Sequence, residues 1–386
     1  MKTVVYSSPF VPAEWIAAHA LRPIRIRPQG APASPPAAPI MGLCPYARAF
    51  MAEVTEPGDA THTVRGGSPD PPRRSDAWRP GQPAICAAGR ETRRAQSQSN
   101  AAVPSAHDAA VFATTCDQMR RAAEWVARSG GPPVFLMNIP ATWQTPASAR
   151  MYRDELLRLG RFLVSLGGTA PSRGHLAETM EAYDARRALL RGALGTLDAA
   201  QASETIARFD LGEEPGGAIL LRGGSPDPPR GKPVAIVGGP LMRGDERIFQ
   251  TIAEAGGRAV LDGTESGPRT LPAPFDRRRI RDDPLMELVD AYFGAIPDAF
   301  RRPDAALYRW LEQELAASGA RGIIIWRYVW CDMWAAAAAR LRETTLARPA
   351  TGGTAGLPVL DFDVSGDEAA AARTAGRIQA FLEVLT

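Results

Sequence analysis

The chain holds four cysteines, Cys44, Cys86, Cys116 and Cys331. Four thiolates are what a closed iron–sulfur cube requires. Three of these residues share a local pattern. Cys116 follows the apolar run AAVFATT, and Asp117 and a helical stretch come next. Cys331 follows GIIIWRYVW, again with an aspartate, Asp332, and a helical stretch after it. Cys44 opens CPYARAFMAEV, where Pro45 occupies a first-turn position at which its missing N–H costs nothing. A helix start carries partial positive charge and favours a thiolate. Zinc sites built from short-spaced Cys and His pairs have no counterpart among His19, His62, His107 and His175. Sulfur-only donors favour iron–sulfur chemistry over a hard ion. The residue types leave a second reading open, in which each cysteine is a small buried hydrophobe.

These positions need elements to hold them. Short apolar runs alternate with amphipathic stretches twice along the chain. In the first half, strands are expected at TVVYS, AAVFATT and PVFLMNIP, with helices at PAEWIAAHAL, DQMRRAAEWVARSG and ARMYRDELLRLGRFLVSLGG. Residues 175–199 continue as helix and link two halves. The pattern restarts with strands PVAIVGG, RAVLDG, GIIIWRYVW and LPVLDFDV, separated by helical stretches that end with DEAAAARTAGRIQAFLEVL. Such alternation implies parallel sheets covered by helices on both faces. The expected fold class is α/β, with two doubly wound, Rossmann-like parallel-sheet domains joined by a helical segment. The boundaries are 1–170 for the first domain, 171–220 for the connector and 231–386 for the second domain. In open sheets of this kind ligands gather beyond the carboxyl ends of the strands, where Cys116 and Cys331 would both sit.

Residues 58–107 break the alternation. They are rich in Pro, Gly, Ser and Arg and have no sustained apolar period, so the segment reads as a low-complexity insert. The string RGGSPDPPR occurs inside it at 65–73 and again at 222–230. It carries no apolar pattern, unlike a solenoid unit, and reads as a repeated element placed in two loops, with a Pro-rich docking motif used twice as the alternative. Cys86 lies in the insert, without a scaffold to hold a ligand.

Composition narrows the classes. A net charge of +3 over 386 residues gives no reason to expect nucleic-acid binding. Only Lys2 and Lys232 among the 45 basic residues are lysine, a skew that fits GC-rich coding. No run reaches the length of a membrane span, and the N-terminus has no secretory pattern. Scattered cysteines suit a reducing cytoplasm.

Near the cysteines, Asp117 and Asp332 could serve as acid–base groups, but capping of the helices that follow is the favoured reading. Tyr46 and Arg48 flank Cys44 and could hydrogen-bond a substrate or simply pack. The glycines of VGGPLMRGDERIF suit a tight turn or an anion site. Trp326, Trp330 and Trp334 are expected to pack between sheet and helix around the third cysteine.

Taken as an ordered set, GLCPYARAF, FATTCDQMRRAAEW, FLMNIPATW, RYVWCDMW and RTAGRIQAFLEVL resemble the 2-hydroxyacyl-CoA dehydratase family, which includes benzoyl-CoA reductase subunits. The resemblance implies a [4Fe–4S] cluster held by Cys44, Cys116 and Cys331, with one iron left open for substrate and Cys86 a bystander. It further implies radical elimination of water from a 2-hydroxyacyl-CoA thioester after one-electron activation. The partners it implies are an acyl-CoA substrate, a homologous second subunit or a second copy of the chain, and a separate ATP-dependent iron–sulfur activator. The chain has no phosphate-binding G-x-x-x-x-G-K-[ST] loop of its own, which agrees with a separate activator. The extra residues between the first two cysteines depart from the family pattern. The alternatives are an acyl-CoA reductase subunit of the benzoyl-CoA type and a non-catalytic α/β scaffold or electron-relay subunit.

Overall fold

The computed structural model describes residues 1–30, 42–55, 107–214, 231–346, 356–365 and 368–385. Cys86 and both copies of RGGSPDPPR lie outside them.

Among the described residues, eight strands form two four-stranded sheets, and every pairing between them is parallel. The first contains β1 (Thr3–Tyr6), β2 (Arg22–Arg25), β3 (Ala109–Ala113) and β4 (Val134–Met137), in the order β2-β1-β3-β4. The second contains β5 (Lys232–Gly238), β6 (Gly257–Gly263), β7 (Gly322–Tyr328) and β8 (Val359–Val364), in the order β6-β5-β7-β8. The two orders are the same topology repeated. Helices cover the sheets, so the central strands β3, β5 and β7 are buried nearly end to end and need continuous apolar runs rather than alternation.

The strands expected from the sequence all form. β2 is the addition: its sequence RPIR hides the strand behind a proline and two arginines. Proline and charge are tolerated there because β2 is an edge strand, with one side free of ladder hydrogen bonds. Among the described residues, the expected helical connector contains the helices Arg173–Leu194 and Ala199–Asp210. The second starts at a capping box between Asp198 and Gln201.

One apolar core joins the two halves. Phe275, Ile280, Leu288, Tyr292 and Phe293, which follow β6 in the chain, pack with Val4, Tyr152, Leu156 and Met180. A second core joins the helix Pro45–Thr55 to Ile236, Ile324 and Tyr328 of the other sheet. Buried polar ties reinforce this. Arg27 donates to the Ser203 hydroxyl at 3.0 Å and to the Ser266 carbonyl at 2.7 Å, linking the first sheet, the connector and the second half.

Candidate active site

The chain reverses its winding direction between β1 and β3 in one sheet, and between β5 and β7 in the other. Ligands in doubly wound sheets bind outside the strand ends at such points. Here both reversal points open onto one crevice with a cavity of about 130 Å³. Ser7 and Ser8 reach it from the end of β1, Cys116 from β3, Pro240 from β5, Glu265 from β6 and Cys331 from β7. Cys44 completes the sulfur set from the start of the helix Pro45–Thr55. Three cysteines far apart in sequence thus line a single cavity.

Each cysteine begins a helix. The carbonyl of Cys44 accepts the Arg48 N–H at 3.0 Å, that of Cys116 the Arg120 N–H at 3.2 Å, and that of Cys331 the Ala335 N–H at 3.0 Å. These are the first intrahelical hydrogen bonds, so all three residues are N-caps. The Ala47 N–H donates to the Cys44 sulfur at 3.3 Å. At Cys116 the amides of Gln118 and Met119 favour the thiolate, although no side-chain cap hydrogen bond closes. Burial opposes these donors and wins: Cys44 and Cys331 are pushed up to about 12, and Cys116 is also raised. Like charge adds to this: Cys116 raises both Cys44 and Cys331, and Cys44 raises Cys331. The thiols therefore hold their protons at neutral pH.

Asp117 and Asp332 differ from expectation. The caps are the cysteines themselves, and the aspartates occupy the first turn, exposed at the crevice edge, where they complement the helix dipole. The glycine-rich stretch after β5 is a tight turn. At Gly238, φ is +156° and a Cβ would lie 1.9 Å from the Trp326 carbonyl oxygen, so only glycine fits beside β7. Its amides are already engaged: Leu241 N–H with the Ser266 hydroxyl at 2.8 Å, and Met242 N–H with the Tyr328 hydroxyl at 3.0 Å. That leaves no amide cradle for a pyrophosphate.

Trp326 and Trp334 pack in the core, as expected. Trp330 does not. It is 60% exposed at the crevice rim with φ of +70°, a rare backbone state for a bulky residue. Tyr46 is buried on the cavity wall with its ring centroid 6.0 Å from that of Tyr328. Arg48 does not line the cavity.

Several residues on or behind the wall carry no sequence signal of their own. Asp298 pairs with Arg269 at 3.0 Å. Arg25, at the end of β2, donates to the Ser7 and Glu265 carbonyls, both at 3.0 Å, and pairs with Asp210 at 3.5 Å. Glu265 projects from the loop after β6, which reads in sequence as an ordinary polar turn.

Among the described residues, no group of three Cys, His, Asp or Glu side chains is arranged to hold a metal ion. A single tetrahedral ion needs sulfurs within about 4 Å of one another, given metal–sulfur bonds of about 2.3 Å. A polynuclear cluster spans a wider set of thiolates, and a sulfur-only donor set at three helix N-termini suits it.

Two parallel-sheet α/β units, meeting at a sulfur-lined crevice beyond their strand ends, define the class of this protein. Residues 9–385 match the family described as 2-hydroxyglutaryl-CoA dehydratase, D-component, and the chain belongs to that family. It is therefore a dehydratase-type, lyase-class component, and the D-component designation implies a partner subunit. No curated protein matches the chain. Among the described residues no helix is long and apolar enough to cross a membrane.

Proposed function

We propose that Cys44, Cys116 and Cys331 hold a [4Fe–4S] cluster, and that the chain serves the elimination of water from a 2-hydroxyacyl-CoA thioester in the cytoplasm. The observation that carries this reading is the convergence of the three thiols on one cavity at both chain reversals. Bound there, the cluster would supply one-electron chemistry and an open iron position for the thioester carbonyl. The chain's own contribution is to place and shield the reactants. Three N-cap positions aim the sulfurs inward. Phe300, Met333 and Trp334 supply apolar wall that keeps water away from a bound acyl chain. A homologous subunit or a second copy completes the enzyme, and a separate ATP-hydrolysing iron–sulfur protein delivers the electron.

The test is iron and acid-labile sulfide content of anaerobically purified protein, comparing wild type, C86A and C116A. About four iron per chain in wild type and C86A, with loss in C116A, is the expected result. Absence of iron from all three would leave a structural, non-catalytic role for the cysteines. Product analysis with 2-hydroxyglutaryl-CoA then separates dehydration from reduction.

A further inference from the structure

Elimination of water asks for two proton transfers: one from carbon 3 of the acyl chain and one onto the departing hydroxyl. Four carboxylates among the described residues line the crevice: Asp117, Glu265, Asp298 and Asp332. Asp298 is committed. One oxygen pairs with Arg269 at 3.0 Å and the other accepts the Phe300 N–H at 3.1 Å. Asp117 and Asp332 are exposed first-turn residues that complement the helix dipoles from the crevice edge.

Glu265 differs from all three. Its backbone is fixed: the N–H donates to the Gly238 and Gly239 carbonyls at 3.1 and 3.2 Å, and its carbonyl accepts from Arg25 and the Thr270 hydroxyl, each at 3.0 Å. Its carboxylate, by contrast, has no hydrogen-bond or ion-pair partner among the described residues, although it is half-buried on the cavity wall. A rigid stem with an uncommitted head is how an acid–base group is held ready for substrate.

We propose that Glu265 is the acid–base residue of this crevice, a role that rests on the dehydratase reading above. In its neutral form it gives its proton to the leaving hydroxyl. The bond from carbon 2 to oxygen breaks with its electron pair going to oxygen, and water is released. The resulting carboxylate takes the proton from carbon 3, whose bonding pair becomes the new double bond, and Glu265 is neutral again. Atoms and electrons balance over the cycle, so the residue needs no outside proton source.

The surroundings support both protonation states. Burial and the Asp298 carboxylate raise the carboxyl of Glu265 to about 7, against the opposing pull of Arg25 and Arg269. Glu265 in turn raises the thiols of Cys116 and Cys331, which places it within electrostatic reach of the reaction centre. Together, Asp298, Arg25, Arg269, Tyr46, Cys116 and Cys331 are the charged and titratable groups that interact with it.

The experiment compares wild type, E265Q and E265D as anaerobically purified holoenzyme. Three readouts are used: iron content, dehydration of 2-hydroxyglutaryl-CoA with a low-potential chemical reductant, and infrared difference spectra between about pH 5 and about pH 9. The expected E265Q protein keeps its iron, loses dehydration by about 100-fold or more, and lacks a carboxyl band that titrates in wild type. E265D recovers part of the rate. Wild-type turnover in E265Q, loss of its iron, or an unchanged infrared difference each overturns the inference while leaving the dehydratase reading in place. An iron-loaded wild type that releases no water from the thioester overturns the dehydratase reading and the inference with it.

Discussion

The side chain of Gln118, in the helix that Cys116 caps, accepts a hydrogen bond from the backbone N–H of Cys44 at 3.1 Å. Two of the three sulfur positions are therefore registered to each other by a single amide, across a long stretch of intervening chain. Replacing Gln118 with Leu removes the acceptor and leaves a part-buried N–H unpaired, at a cost of about 1–3 kcal/mol. The expected result is faster loss of iron from Q118L to a chelator, with far-UV circular dichroism unchanged.

The pH dependence of stability carries the mark of Glu265. Its carboxyl is raised to about 7 by burial and by Asp298, whereas an unfolded glutamate titrates near 4.3. The folded chain holds the proton more tightly, so the stability this group contributes is present in full below about 4.3 and fades as pH climbs through about 7. E265Q, which cannot ionise, should gain on wild type between about pH 5 and about pH 8 in urea melts. A constant difference over that range would contradict the assignment.

Glu14, Arg187 and Tyr292 form a buried polar cluster that ties a first-half helix to the connector and to the segment after β6. Arg187 pairs with Glu14, which also accepts from the Tyr292 hydroxyl at 2.6 Å. Removing only the cation strands a buried carboxylate. R187M is expected to lose about 3–5 kcal/mol in equilibrium unfolding. The double variant E14L/R187M should lose less than the sum of the single changes.

Trp330 holds a left-handed backbone conformation while most of its side chain faces solvent. Such a residue costs about 1–3 kcal/mol in strain and recovers little through packing. W330G should therefore match or exceed wild type in thermal midpoint. A fall in the midpoint would mean that the indole stabilises the rim more than its exposure suggests.

Much of this was legible in the chain itself. Runs such as AAVFATT and GIIIWRYVW read as buried parallel strands, and the break that follows each one places a cysteine at a helix start. Those features determined the α/β class and placed Cys116 and Cys331 at helix starts, as Pro45 did for Cys44, because strand and helix signals are local in sequence. β2 escaped notice since RPIR has the composition of a loop, and only its place at the sheet edge makes a proline and two arginines acceptable. Asp117 and Asp332 looked like caps because the sequence cannot say which of two adjacent residues leaves the helical geometry first.

What the tertiary structure alone decided is how the pieces meet. Nothing local to Glu265 sets it apart from other loop glutamates. Its character comes from Arg25, which fixes its carbonyl, from Asp298, which leaves Arg269 unable to pair with it, and from the burial shared by both sheets. The convergence of Cys44, Cys116 and Cys331 follows the same logic. Each sits at the end of its own element, but only the packing of two sheets with matching reversals brings those ends to one cavity. Local propensity is written in neighbouring residues, whereas electrostatic environment and proximity belong to residues far apart in the chain.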